Sequence, residues 1–277
     1  MINVSILGCV LGLLLLAVPF YVMFKYRLRI MDVVLASLVR MVLTMGVVGG
    51  MVYAAIAYDK LWLNIVLTVM MIVAGAVLAV RRSRLNMRRL MVPMLAGMSV
   101  ATLVVAAYVL YLVVGVESPL SAKMLLPVAG MLVAGVMTSN AKALHAYYVG
   151  LANHSQLYDY LVGNGATHRQ AVNYFVRRAL EANMVPHARY MAYTVVTVAP
   201  AMAWAMVMSG AGVVAAGVVT VMMAVAAMAA SVLSLMVALM VGRKYCFDDY
   251  MALKKDVASH QSTNDNNNIL VQHRLLQ

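Results

Sequence analysis

Residues 61–89 read LWLNIVLTVMMIVAGAVLAVRRSRLNMRR. Twenty uncharged, mostly apolar residues are followed by five arginines in nine. A helix needs ~20 such residues to cross ~30 Å of hydrocarbon, and arginine-rich connections stay on the cytoplasmic side. This one stretch therefore predicts both a membrane span and its direction. Working outward, comparable apolar stretches lie at 4–24, 33–57, 90–116, 124–149, 190–210 and 212–241, which makes seven spans with 61–80. The whole 277-residue chain agrees, with 65% hydrophobic residues, 11% charged ones and a mean hydropathy of +0.90. That composition excludes a soluble enzyme, a disordered tail protein and a disulfide scaffold. The expected fold class is all-α and polytopic.

Charge placement tests the topology independently. Connections after spans one, three, five and seven carry Lys25, Arg27 and Arg29; Arg81, Arg82, Arg84, Arg88 and Arg89; Arg169, Arg177, Arg178 and Arg189; and Arg243, Lys244, Lys254, Lys255 and Arg274. The opposite connections carry only Lys60 and Lys123. The alternation places the N-terminus outside and the C-terminus in the cytoplasm. The first span has no basic stretch before it and its positive cluster follows it, the order of an uncleaved span. The net charge of +12 is accounted for in this way, and no nucleic-acid partner is implied.

The domain division expected is a membrane domain over 1–250, containing one sizeable soluble segment at 150–189, and a polar cytoplasmic tail over 251–277. Asn164-Gly165 separates two short helices in that segment, Ser155–Val162 and Thr167–Ala182, with Thr167 and Gln170 placed as a capping box. Pro93, Pro127, Pro186 and Pro200 predict kinks in a packed bundle. Gly130, Ala134 and Gly135, and Gly212, Ala215, Ala216 and Gly217, allow close helix approach. Asp32, Arg40, Lys142, His145 and Glu181 are the ionisable residues near the membrane, and Lys142 and His145 are placed to snorkel toward the cytoplasm. The 26 methionines are scattered over every span, as expected of adaptable core filler, although thioether sulfur also suits a soft-metal path. Cys9 and Cys246 are too far apart in sequence to suggest a disulfide framework or a CxxC metal site. His260 and His273 are too sparse for a metal site.

The run Pro127-Val128-Ala129-Gly130-Met131-Leu132, then Gly165-Ala166-Thr167-His168-Arg169-Gln170-Ala171, then Arg177, Pro186 and Pro200, resembles the FetB-type permeases. These are membrane subunits of ABC transporters implicated in iron export, with plant relatives in aluminium tolerance. The resemblance extends loosely over 25–250 and is specific within 127–200. Two signatures depart from it. Val133-Ala134-Gly135-Val136 lacks the expected asparagine, and Pro200-Ala201-Met202-Ala203-Trp204-Ala205 has lost both glycines of the sixth-span motif.

What the resemblance implies is a permease subunit of an ABC transporter in the cytoplasmic (inner) membrane, exporting metal and working as a homodimer in the bilayer. A separate cytoplasmic ATPase would dock on about 153–185 and hold ATP and Mg. This chain itself would bind no cofactor and has no catalytic residue, since it contains no GxxxxGK[ST]. In that picture Tyr158, Leu161 and Val162 form the apolar docking face, and Asp159, Arg169 and Arg177 fix orientation. Gly165, Ala166, Thr167 and Gln170 make the turn between the docking helices. Pro127, Gly130, Met131, Asn140, His145, Pro200 and Met202 mark the candidate path between spans five and six, with metal ligands left open. Two other readings stay open: a membrane scaffold or degenerate subunit that transports nothing, and a secondary transporter, which would need paired carboxylates or inverted repeats.

Overall fold

The computed structural model describes residues 16–26, 31–115, 118–193, 199–248 and 253–257. It divides into two compact units, Met1–Ala57 and Tyr58–Gln277. Most of the expected first span and the tail beyond 257 lie outside the described residues. In the first unit, α1 is Ala17–Lys25 and α2 begins at Met31 and runs to Tyr58. At 28 residues α2 rises ~42 Å, more than a bilayer core. Its side chains from Val39 to Tyr53 are exposed, as on a helix whose surroundings are themselves apolar.

The second unit is an all-helical bundle: α3 (Leu61–Ser83), α4 (Met87–Tyr108, widened over Val109–Val113), α5 (Ala122–Asn153), α6 (Ser155–Gly163), α7 (His168–Ala192), α8 (Ala199–Met208) and α9 (Val213–Cys246). Five helices of the described chain are long and apolar enough to cross a membrane: α2, α3, α4 with its extension, α5 and α9. The protein is an all-α polytopic membrane protein. The expected sixth span falls on the last turn of α7, on 194–198 outside the described residues, and on α8, whose ten residues rise only ~15 Å.

Local chemistry sets the helix ends. Asn86 caps α4, its Oδ1 accepting from Arg88 N–H at 3.0 Å. α5 takes its cap from another loop: Asp59 Oδ1 accepts from Ala122 N–H at 3.0 Å and from Asn64 Nδ2 at 3.3 Å. The Ala122 bond, then the Asn64 bond, holds the Asp59 carboxyl below its usual pKa. That contact ties the α2–α3 turn to the start of α5. At the other, arginine-rich end, residues 253–257 fold back on the bundle. Val257 is buried, its carbonyl accepts from Asn86 N–H at 3.2 Å, and Asp256 pairs with Arg89 at 3.7 Å.

In lipid, apolar burial does not itself drive helices together, so close contact between backbones matters. α4 and α9 form the most extensive pairing. They cross where Gly97 leaves no room: an added Cβ would lie 2.4 Å from the Ser234 carbonyl oxygen. Gly75 of α3 similarly faces Val133 of α5, at 2.5 Å. Gly130 meets Met71 at 2.8 Å, a packing role. Gly212 and Gly217, expected at a close approach, have nothing within 4 Å. Met94 and Met98 are fully buried fillers, whereas Met41, Met45 and Met240 are exposed.

Gly97→Ala is expected to cost about 1–3 kcal/mol, because the obstacle is backbone and cannot swing away. Gly46→Ala, with open space around it, should leave stability unchanged. Thermal unfolding of the purified variants in detergent reads the difference.

Candidate transport path and docking segment

The segment expected to be soluble, 150–189, is almost entirely helical, and Leu151, Tyr158, Ala171 and Phe175 pack it onto the bundle core. His145 Nδ1–H donates to the Ser83 carbonyl at 3.0 Å, which places it level with the arginine-rich end of α3. α5 continues to Asn153, so it projects ~12 Å past that level. α6 and α7 follow, and α7 then runs back along α5 through Pro186 to Ala192, ten residues beyond its expected end. The reason is a buried stripe repeating every fourth residue: Ala171, Phe175, Ala179, Asn183 and His187. Asn183 and His187 continue an apolar series, and their polarity disguised the periodicity in the sequence.

What these two side chains touch explains their burial. Asn183 Nδ2 donates to Asn140 Oδ1 at 2.7 Å, Asn140 Nδ2 donates to Ser234 Oγ at 2.8 Å, and Ser231 Oγ donates to Asn183 Oδ1 at 2.9 Å. All four residues have no exposed surface. Ser139 Oγ and His187 Nε2 share a 2.7 Å hydrogen bond beside them. One connected set of amides and hydroxyls thus joins α5, α7 and α9, with the Met94 sulfur of α4 3.9 Å from the Asn140 amide. The sequence reading found Asn140 alone. Asn183, Ser231, Ser234, Ser139 and His187 are added by the fold, and only the fourfold stripe hinted at the first and last of the α7 pair.

The other path candidates do not converge on Asn140. His145 is at the arginine-rich end, Pro127 is exposed near the start of α5, and Gly130 packs on Met71. Met131 and Met202 are half-buried against the core. Pro200 lies in the first turn of α8, with its side chain outside the described residues. Lys142 is exposed. Among the described residues no three His, Cys, Asp or Glu side chains come together as a metal site.

The docking segment is more orderly. Gly165 takes φ +87°, a conformation that favours glycine, and turns α6 into α7. Ala166 N–H donates to the Leu161 carbonyl at 3.0 Å across the turn. Gln170 Oε1 accepts from both the N–H and the hydroxyl of Thr167, each at 2.9 Å, the reciprocal bond expected of the capping box. Arg169 is exposed, and Arg177 pairs with Glu181 at 3.4 Å. The apolar face differs from expectation. Tyr158 turns inward and is 4% exposed, Leu161 is half-buried, and Val162 is outside with Leu157 and Tyr160. The backbone of Asp159 is in α6, and its side chain lies outside the described residues.

Tyr158 is drawn in because its hydroxyl shares a 2.8 Å hydrogen bond with His168 Nδ1. The His168 ring in turn stands edge-on to Phe247, 4.7 Å between centroids, just past the end of α9. Burial, then the Arg243 charge, lowers the His168 pKa. The turn of the docking segment is therefore keyed to α9 at one end, and α7 is hydrogen-bonded to α9 further along.

Residues 6–247 match the uncharacterised protein family UPF0014. Neither a curated protein nor a solved structure matches the chain.

Two outcomes follow from this geometry. Asn183→Leu strands Asn140 Oδ1, while Ser231 Oγ keeps its 2.8 Å bond to the Met228 carbonyl, and is expected to lower stability by about 0.5–2 kcal/mol, with a double-mutant cycle against Asn140→Leu showing coupling. Because the folded His168 has the lower pKa, its stabilisation is present above the unfolded value near ~6.5 and is lost as pH falls below it. Amide-exchange protection factors over 155–170, corrected for intrinsic exchange at each pH, should therefore be lower at pH ~5.5 than at pH ~7.5, and His168→Phe should remove that difference.

Proposed function

The chain belongs to the UPF0014 family, and we propose from that premise and the fold that it is the membrane-spanning permease subunit of an ABC transporter. The observation that carries the reading is the α6–Gly165–α7 hairpin. It lies beyond the arginine-rich end of α3, presents Leu157, Tyr160 and Val162 outward, and is keyed to α9 through Tyr158, His168 and Phe247. A lever of this kind suits a partner that closes on ATP and passes the movement to the spans. In this reading the arginine-rich end is cytoplasmic, and the outward apolar groups of α6 sit in a groove of the ATPase, with Arg169 at the rim.

The buried amides and hydroxyls of Asn140, Asn183, Ser231 and Ser234 are then the part that must change partners when the bundle alternates between inward-open and outward-open packings. ATP binding to the partner shifts that equilibrium by its different affinity for the two states. The permease works as a homodimer in the cytoplasmic membrane, and metal export, with iron as the cargo, follows from the FetB-type resemblance. A scaffold subunit without transport is the second reading, favoured by Ala201 and Ala205 where the related motif has glycine, with Trp204 exposed between them.

The test is affinity purification of the tagged protein in mild detergent, with identification of what co-elutes. An ABC ATPase should accompany the wild type and be lost from Gly165→Pro, which cannot adopt φ +87°, and from Tyr160→Asp. If no ATPase accompanies the wild type under conditions that preserve other transporter complexes, the permease reading fails. Metal efflux gained by restoring glycine at Ala201 and Ala205 would identify the present chain as an impaired transporter.

A further inference from the structure

α5 and α7 enclose a second feature, on their outer side. A cleft of about 470 Å³ opens between them, lined on α5 by Lys142 and on α7 by Arg178, Glu181, Val185, Pro186 and Arg189. Three cations share it with one carboxylate. Glu181 is paired with Arg177, 3.4 Å away, and among the described residues no carboxylate forms an ion pair with Lys142, Arg178 or Arg189. Three cations against one carboxylate that Arg177 already engages leave the cleft with an excess of positive charge, which is unfavourable. The arrangement calls for an anion.

The place of the cleft in the fold says what kind. Lys142 is one turn inward of His145, which is level with the arginine-rich end of α3. Arg178 lies nearer that end and Arg189 deeper, because α7 runs antiparallel to α5, as the Asn140–Asn183 and Ser139–His187 pairs show. Side chains lean toward the N-terminus of their own helix. Arg189 and Arg178 therefore lean to the arginine-rich end while Lys142 leans the opposite way, so Lys142 and Arg189 lean toward one another's level. Met184 and Val185, at the same level of α7, are 42% and 43% exposed, an apolar surface at the cleft's edge. A free anion would have no use for that surface, and an acyl chain would.

We propose that this cleft binds the phosphate headgroup of an anionic membrane lipid, with its acyl chains lying over Val185 and Met184. Lys142 and Arg189 hold the phosphate, Arg178, ~16 Å from Arg189 along α7, adds to the positive field at the cleft's other end, and the lipid holds α7 against α5 on the side opposite the buried amides. The site does not depend on the chain being an ABC permease, and it would stand if no ATPase were found.

The test is native mass spectrometry of the delipidated full-length protein titrated with phosphatidylglycerol, phosphatidylcholine or inorganic phosphate. The wild type should take up one phosphatidylglycerol in preference to phosphatidylcholine. With about 1 kcal/mol per basic residue, K142Q or R189Q should weaken binding about fivefold, and the pair roughly 30-fold. R81Q/R82Q, at the same end but outside the cleft, should bind as the wild type does. Both cleft side chains are exposed, and melting within about 2 °C of wild type shows that the variants fold; if the pair does not fold, the single variants and the charge-keeping K142R/R189K, expected to bind normally, decide. Equal uptake of phosphatidylcholine, or undiminished phosphatidylglycerol uptake by the cleft variants, overturns the proposal. So does saturation by inorganic phosphate alone without lipid preference, which would make it a site for a soluble anion.

Discussion

The bundle depends on one constraint: polar groups placed where lipid and packed side chains exclude water must satisfy each other. Asn140, Asn183, Ser231 and Ser234 do so completely, in a chain of bonds from 2.7 to 2.9 Å with no exposed surface. Each bond is modest by itself, since an unfolded chain in the membrane also finds partners. What the set provides is registry. α7 can lie along α5 in the position that brings Asn183 to Asn140, and a shift by one residue would leave the Asn183 amide and Asn140 Oδ1 buried without each other.

Close backbone contact works with that registry. Gly97 lets α4 approach α9 at the Ser234 carbonyl, the same residue whose hydroxyl accepts from Asn140. Polar bonding and tight packing thus meet at one point, and α9 becomes the element through which α4, α5 and α7 are all held. The docking hairpin is attached to that same helix, by His168 against Phe247. On the permease reading proposed above, that contact is where a displacement of the hairpin would reach the helix whose hydroxyls complete the buried network.

Much of this was legible in residue order. Span positions at 61–80 and 124–149, the arginine-rich connection after the first, the glycine turn at 165 and the Thr167–Gln170 cap all follow from composition and local backbone rules, and the helices α3 and α5 and the turn after α6 occur there. Ending the second helix of 150–189 at Ala182 fell ten residues short for a physical reason. Hydropathy scores Asn183 and His187 as solvent-seeking, and it cannot see that Asn140 and Ser139 wait opposite them. Tyr158 was misplaced for the same reason, because its partner His168 is ten positions away on another helix.

The sequence by itself determined that the chain lives in a membrane, that its helices cross rather than lie on it, and where its positive charge gathers. These are sums over local windows, and each residue contributes whatever its neighbours in space are. Only the tertiary structure decided which polar residues pair, which glycines lie at crossings, and that Lys142 shares a cleft with Arg178 and Arg189. Those outcomes depend on the relative rotation and depth of helices far apart in the chain, which no local window encodes.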